Sequence, residues 1–230
     1  MANSFQDEQE TPELVAIAEL AENIVYRVPG CLDIMVRKTI RDIYREFCRE
    51  TKCLTADRVL KVEDGRAEYP VSAFYGGVVG EIREVLLEKV RLMRGRDYKV
   101  IDGTCPMVVL DRRYLSFPDH EIPEGEHPAR RRIYAAEERI VHRHPRMLRI
   151  KATEIPKIGS ELAPQWFIDK HGDSVVSGVL ARLCAMTGRA WSDAQVAGDE
   201  RIRYENAKSE ARMFNEVLPG PICVDASVEL

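Results

Sequence analysis

The segment Ser177–Ala197, SGVLARLCAMTGRAWSDAQVA, constrains the fold more than any other part of the chain. Val175, Val176, Val179, Leu180, Leu183 and Thr187 recur at helical spacing, so its first half reads as a buried helix. Gly178, Ala181 and Ala185 give that helix a small-residue face, which a second helix can approach closely. Gly188 stands where a left-handed C-cap is wanted, because glycine reaches positive φ without steric cost. A capping box is expected next: Ser192 caps the N–H of Gln195, Gln195 reaches back to Ser192, and Trp191 packs on Val196 as a hydrophobic staple. The segment is an αα-hairpin with a short connection.

Before this hairpin the signals divide into helical ends and a β-like middle. Thr11-Pro12-Glu13 is a helix start, and Leu14, Ile17, Ala18, Ala21, Ile24 and Val25 follow it until Pro29-Gly30. A second helix buries Leu32, Val36, Ile40, Ile43 and Phe47. Its exposed side carries Arg37, Arg41, Arg45 and Arg49 as one stripe and Asp42, Glu46 and Glu50 as the next, with Lys38–Asp42 and Glu46–Arg49 as expected local pairs. From Asp57 to Glu154 short β-favouring runs alternate with turn signals such as Asp64-Gly65, Gly76-Gly77 and Arg94-Gly95. Glu81–Lys89 fits a helix or a strand. A last helix runs from Asp193 to Val217, and Pro219-Gly220-Pro221 ends it. The expected fold is α+β: a helical bundle built from 1–56 and 155–218, an inserted antiparallel β domain over 57–154, and an extended tail over 219–230.

A chain of 230 residues with 45% hydrophobic content can bury a full core. Its net charge of -4 gives no overall basic footprint for nucleic acid. No apolar run is long enough to cross a bilayer and the first residues are acidic, so a soluble protein made in the cytoplasm is expected. Six cysteines without a C-x-x-C pair read as reduced and mostly buried. Neither a G-x-S-x-G elbow nor a phosphate loop is present, and Gly76-Gly77-Val78-Val79-Gly80 reads as a tight β turn. His142 and His144 share a strand face without a third ligand at metal spacing. The expectation is therefore no enzyme, no metal and no cofactor.

One charge feature exceeds background. Arg130, Arg131, Arg132, Arg139, Arg143, Arg146, Arg149 and Lys151 outnumber Glu137 and Glu138 in a short span. A solvated face, phosphate contacts with passing DNA and an acidic protein surface all fit this patch. The N-terminal acids Asp7, Glu8, Glu10, Glu13, Glu19 and Glu22 supply such a surface, and a contact between subunits of a ring is the preferred reading.

The run G-V-L-A-R-L-x-x-M-x-G-R-x-W-S-D, followed by an amphipathic helix ending Ala211-Arg212, resembles the C-terminal half of a family of tailed-bacteriophage virion proteins. Pro29-Gly30-Cys31, opening a helix that ends Glu46-Phe47-Cys48, resembles that family's N-terminal segment, and Leu148–Ala152 before Pro156 resembles its last strand. Between about Lys61 and Val141 only order and composition match, and Leu32 and Ala190 stand where the family often has proline. The family comprises head-to-tail connector, adaptor or tail tubular proteins. The resemblance implies a structural, non-enzymatic protein of the virion neck, assembled in the host cytoplasm into a ring, expected to be a dodecamer, under the portal. Such a ring continues the DNA channel and anchors the tail. Its implied partners are further copies of itself, the portal protein, a downstream tail or neck protein, and double-stranded DNA passing without sequence specificity, with no membrane. The expected oligomer or portal contacts are Arg37, Arg41, Arg45 and Arg49 on the second helix and Ile222, Val224, Val228 and Leu230 in the tail. The alternatives are a neighbouring neck component, stopper or tail terminator, and a cytoplasmic DNA-binding regulator, against which the overall charge argues.

Overall fold

The computed structural model of the chain describes residues 13–63, 65–103, 105–111, 114 and 146–216. The chain divides into two compact units. One takes both ends, up to Leu54 and from Pro156 onward; the other spans Thr55–Ile155. Among the described residues the helices are α1 (Ala21–Val25), α2 (Asp33–Thr51), α3 (Gln165–Cys184) and α4 (Ala194–Glu216).

The α+β class stands, but the expected helical bundle with an inserted β domain is corrected. Nine strands form three antiparallel sheets among the described residues, and one of those sheets belongs to the unit made from the chain ends. There β1 (Leu14–Ala16) pairs with β9 (Leu162–Pro164). The Thr-Pro-Glu signal called for a helix from Leu14. Instead the chain is extended over β1, makes a 3-10 turn at Ile17–Leu20 and becomes α-helical only at Ala21. The reason is tertiary: Ile17 N–H bonds to Glu161 O (3.0 Å), and Gln165 N–H bonds to Glu13 O (2.9 Å). A partner strand satisfies β1's backbone, and local helix propensity is too weak to compete.

The same unit packs α2, α3 and α4 around a shared core. Val36, Ile40, Ile43 and Phe47 of α2 are buried as their spacing predicts, but Leu32, expected to be buried with them, caps the helix and is 63% exposed. The ring of Phe167 on α3 meets Tyr44 and Phe47 edge-on, at centroid distances of 4.8 and 6.0 Å. Gly178 marks the closest approach. A Cβ built on it would lie 2.8 Å from both Ile43 Cγ2 and Tyr204 Cε2, so the small-residue reading of α3 holds at this position. Ala185 is exposed and takes no part.

In the unit Thr55–Ile155, one sheet has the order β2 (Thr55–Lys61), β8 (Met147–Ile155), β4 (Val78–Leu87), β5 (Val90–Arg91). The other has the order β3 (Glu68–Pro70), β7 (Met107–Leu110), β6 (Tyr98–Ile101). Glu81–Lys89 resolves largely as strand, because Ile82, Val85 and Leu87 join one core with Tyr69, Val108 and Ile150. β4 shifts register between Val79 and Ile82 and again between Ile82 and Glu84; β8 presents Thr153 to the first shift and Glu154 to the loop before β4. Thr153 Oγ1 accepts the N–H of Glu81 (2.8 Å), and the buried Glu154 carboxylate accepts the N–H groups of Phe74 and Tyr75. Gly76 takes φ 72°, and a Cβ on Gly77 would lie 2.5 Å from Ile155 O; the Gly-Gly pair turns the chain into β4 against β8.

Two outcomes follow from this packing. Gly178→Ala gains about 1 kcal/mol of helix propensity yet is overpacked by about 1–3 kcal/mol, so a urea melt shows net destabilisation. His171 is buried between Phe47 and Phe167, and burial pushes its pKa down to about 4. The unfolded chain protonates this histidine near pH ~6.5 while the folded chain does not until about pH 4, so stability falls with pH across that window by about 3 kcal/mol. Urea melts across the window on the parent and on His171→Leu check this, with a flatter profile expected for the variant.

Candidate functional site

The two charged stripes of α2 have different fates, and the difference follows from what packs beside each. The acidic stripe faces the C-terminal helices. Arg182 of α3 donates to Glu46 Oε2 (2.7 Å), and Lys208 and Arg212 of α4 donate to Glu50 Oε2 (2.9 and 3.0 Å). Lys208 is 4% exposed and also reaches Glu205 (2.8 Å). Burial alone would push its pKa down, but the carboxylates of Glu205 and Glu50 win and hold it up. Tyr204, pushed up by burial and by Glu46 and Glu50, donates its hydroxyl to Glu46 Oε1 (3.4 Å). The expected local pairs Lys38–Asp42 and Glu46–Arg49 do not form: Glu46 spends its charge on α3 instead.

The arginine stripe lies toward β1 and β9. Arg37 bonds Asp33 one turn earlier (2.6 Å), Arg41 bonds Glu161 (3.0 Å), and Arg45 donates to Pro156 O (3.2 Å). Arg49 is exposed and makes no ion pair among the described residues. Asp33, Ile34, Arg37, Arg41 and Glu161 border a cleft of about 460 Å³ with Ala16, Ile17 and Ala18. Ile34 is 70% exposed at its rim, and the neighbouring Leu32 and Tyr26 are exposed as well. The arrangement is a shallow surface with two guanidinium groups above apolar side chains. Both guanidinium groups are already paired, with Asp33 and Glu161, so the charge of the cleft is balanced from within.

At the turn between α3 and α4, the expected roles shift by one residue. Asp193 is the cap: its Oδ1 accepts the N–H groups of Gln195 and Val196, each at 3.0 Å. Ser192 and Gln195 do not form the expected box. The Ser192 hydroxyl donates to Met186 O and accepts the N–H of Arg189 (3.1 Å), closing the turn instead. The helix begins at Ala194, so the carboxylate sits closer to its first free N–H groups and meets the positive end of its dipole. Gly188 has φ 72° as expected, but α3 already ends at Cys184 and the glycine bends the connection beyond it. Trp191 is half-buried, not a core anchor, with Arg189 6.0 Å above its ring.

Periodicity puts the flank of Glu200 on the buried face of the last helix, and the structure buries it there, but its ion pairs were not foreseen. This α4 residue is 2% exposed and accepts from Arg27 (2.5 Å) and Arg203 (3.2 Å). Burial pushes its carboxyl up, but hydrogen bonds from Ser177 and Arg27 outweigh that and leave it below its usual value. The signal was present, because Glu200 stands between Val196 and Tyr204 on the apolar face of α4. Of the basic patch, Arg130, Arg131, Arg132 and Arg143 lie outside the described residues, while Arg146 donates to Tyr114 O (3.4 Å) and Arg149 is exposed on β8. Ile222, Val224, Val228 and Leu230 lie outside the described residues too.

Among the described residues no group of three or more His, Cys, Asp or Glu is placed to hold a metal ion, and no helix is long and apolar enough to cross a membrane. No protein-family model matches the sequence, and no curated protein matches it.

Three substitutions test these contacts. Lys208→Ala removes the cation that Glu50 and Glu205 share, but Glu50 keeps Arg212 and Glu205 is half exposed, so a loss of about 1 kcal/mol is expected in chemical denaturation. Asp193→Ala costs about 1 kcal/mol through the lost cap, whereas Gln195→Ala, whose side chain caps nothing, changes the melting midpoint little.

Proposed function

We propose that the protein is a structural component of a tailed-phage virion, a head-to-tail adaptor that assembles as a ring beneath the portal, continues the DNA channel and anchors the tail. The observation that carries this reading is the meeting of two distant segments. The Pro29–Cys48 helix and the Ser177–Arg212 hairpin, which resemble the adaptor family separately, pack on each other through Gly178, Glu46 and Glu50. The cleft beside Arg37 and Arg41 adds a surface suited to a neighbouring subunit or to the portal. Contacts of this kind between unlike faces close into a ring when the rotation between subunits closes.

Electron micrographs of the purified protein, alone and with a portal complex, test the proposal. Rings with a central channel that cap the portal are expected. A monomer that ignores portal, or a dimer that appears only with DNA, rejects it. Arg41→Glu sharpens the test. Its partner Glu161 is 76% exposed on the side chain, so losing the pair costs the fold only about 0–1 kcal/mol. The variant is expected to keep the parental circular dichroism spectrum and to lose ring formation at ordinary salt. Rings formed as readily as by the parent would remove the arginine stripe from the interface.

A further inference from the structure

The C-terminal end of α2 carries two cysteines in a backbone arrangement that turns them toward each other. Lys52 ends the helix in the left-handed conformation, φ 51° and ψ 31°, and its N–H bonds back to Cys48 O (2.9 Å). A contact between the residue that accepts this bond and the residue just after the left-handed one frequently accompanies such a cap. Here they are Cys48 and Cys53, 0% and 6% exposed. That contact is ordinarily made by two inert apolar side chains; this chain makes it with two thiols.

We infer that Cys48 and Cys53 are a reversible oxidation site, closing to a disulfide across the helix cap. Their environments divide the roles. The Cys53 thiol is held below its ordinary pKa, first by the Cys48 thiol and then, against burial, by Thr51 and the Lys170 ammonium. Burial pushes Cys48 up, and its neighbour Cys53 adds to the rise. Cys31 and Cys184 are likewise raised by burial. Cys53, 6% exposed where Cys48 is fully buried, is the sulfur nearer solvent and the one that meets the oxidant. With hydrogen peroxide as oxidant, its sulfur takes one peroxide oxygen to give a sulfenic acid, and the other oxygen leaves as water once protonated. Cys48 sulfur then attacks the sulfenic sulfur, the S–O bond breaks, and a second water leaves as the S–S bond forms. The two electrons lost by the thiols reduce the peroxide, and a dithiol reductant reverses the bridge.

The experiment uses the full chain at neutral pH, treated with a small excess of hydrogen peroxide, alkylated, and digested with trypsin without reductant. Cleavage after Arg49 and Lys52 separates the two cysteines. The expected dominant cross-link joins Glu46–Arg49 to Cys53–Arg58 and disappears with dithiothreitol. A circular dichroism spectrum unchanged by the treatment places the reaction in the folded chain. In Cys48→Ser, the sulfenic acid on Cys53 has no resolving thiol and is expected to be trapped by dimedone. Free thiols at both positions, a dominant cross-link through another cysteine, or sulfinic and sulfonic acids without the bridge overturn the inference. So does a Cys48→Ser chain, folded by its spectrum, in which dimedone labels nothing at Cys53.

Discussion

The absence of a side chain at Gly178 sets the spacing on which the helical unit depends. Ile43 from α2 and Tyr204 from α4 both occupy the space a Cβ would need, so three helices meet at one point of α3. Interiors packed to crystal density do not yield to an added methyl group without moving a neighbour. The close approach also brings the polar faces of these helices within reach of one another. Tyr204 turns its ring onto Gly178 and its hydroxyl onto Glu46, joining the apolar contact to the ionic one.

The ionic layer beside it shows how a charged helix can be a core helix. α2 carries acids and arginines in adjacent rows, and the fold treats them as separate materials. The acids are matched by Arg182, Lys208 and Arg212, residues more than a hundred positions away in sequence. A lysine as buried as Lys208 survives because it has more than one carboxylate partner. The arginines are matched locally or by the β1–β9 region, and they remain near the surface. The basic row thus stays near the surface, while Glu46 and Glu50 of the acidic row are tied to α3 and α4 and Asp42 is exposed.

How much of this could be read from the sequence depended on the range of the interaction that decided each element. The α2 helix was legible because Val36, Ile40, Ile43 and Phe47 repeat at the helical period, and the helix needs no remote partner to be recognised. Gly178 was legible as a close-packing site for the same reason, though not which side chains would meet it. The start of the chain was misread because Thr-Pro-Glu is a sound local signal that strand pairing with Leu162–Pro164 overrides. The α3–α4 turn was read correctly as a turn, while its cap was assigned one residue early because Ser192 and Asp193 are both good capping residues and periodicity does not choose between them. The burial of Glu200's flank was legible from the period of the last helix, but its ion pair was not, because Arg27 lies 173 residues away. The cleft beside α2 was not legible at all, since three separate stretches create it: Ala16–Ala18, the residues from Asp33 to Arg41, and Glu161.

The pairing of β1 with β9 has a consequence for the order in which the molecule can be built. Synthesis makes Leu14 early, but its partner strand emerges only after the whole of Thr55–Ile155 has been made. The partners of Glu50 come later still, 158 residues away at Lys208. The middle unit has all its strand partners within itself and can complete its sheets while the N-terminal helices wait with an unmet apolar face. During synthesis the strand partners described for the middle unit are therefore all present by Ile155, before the partners of β1, Glu46 and Glu50 have been made.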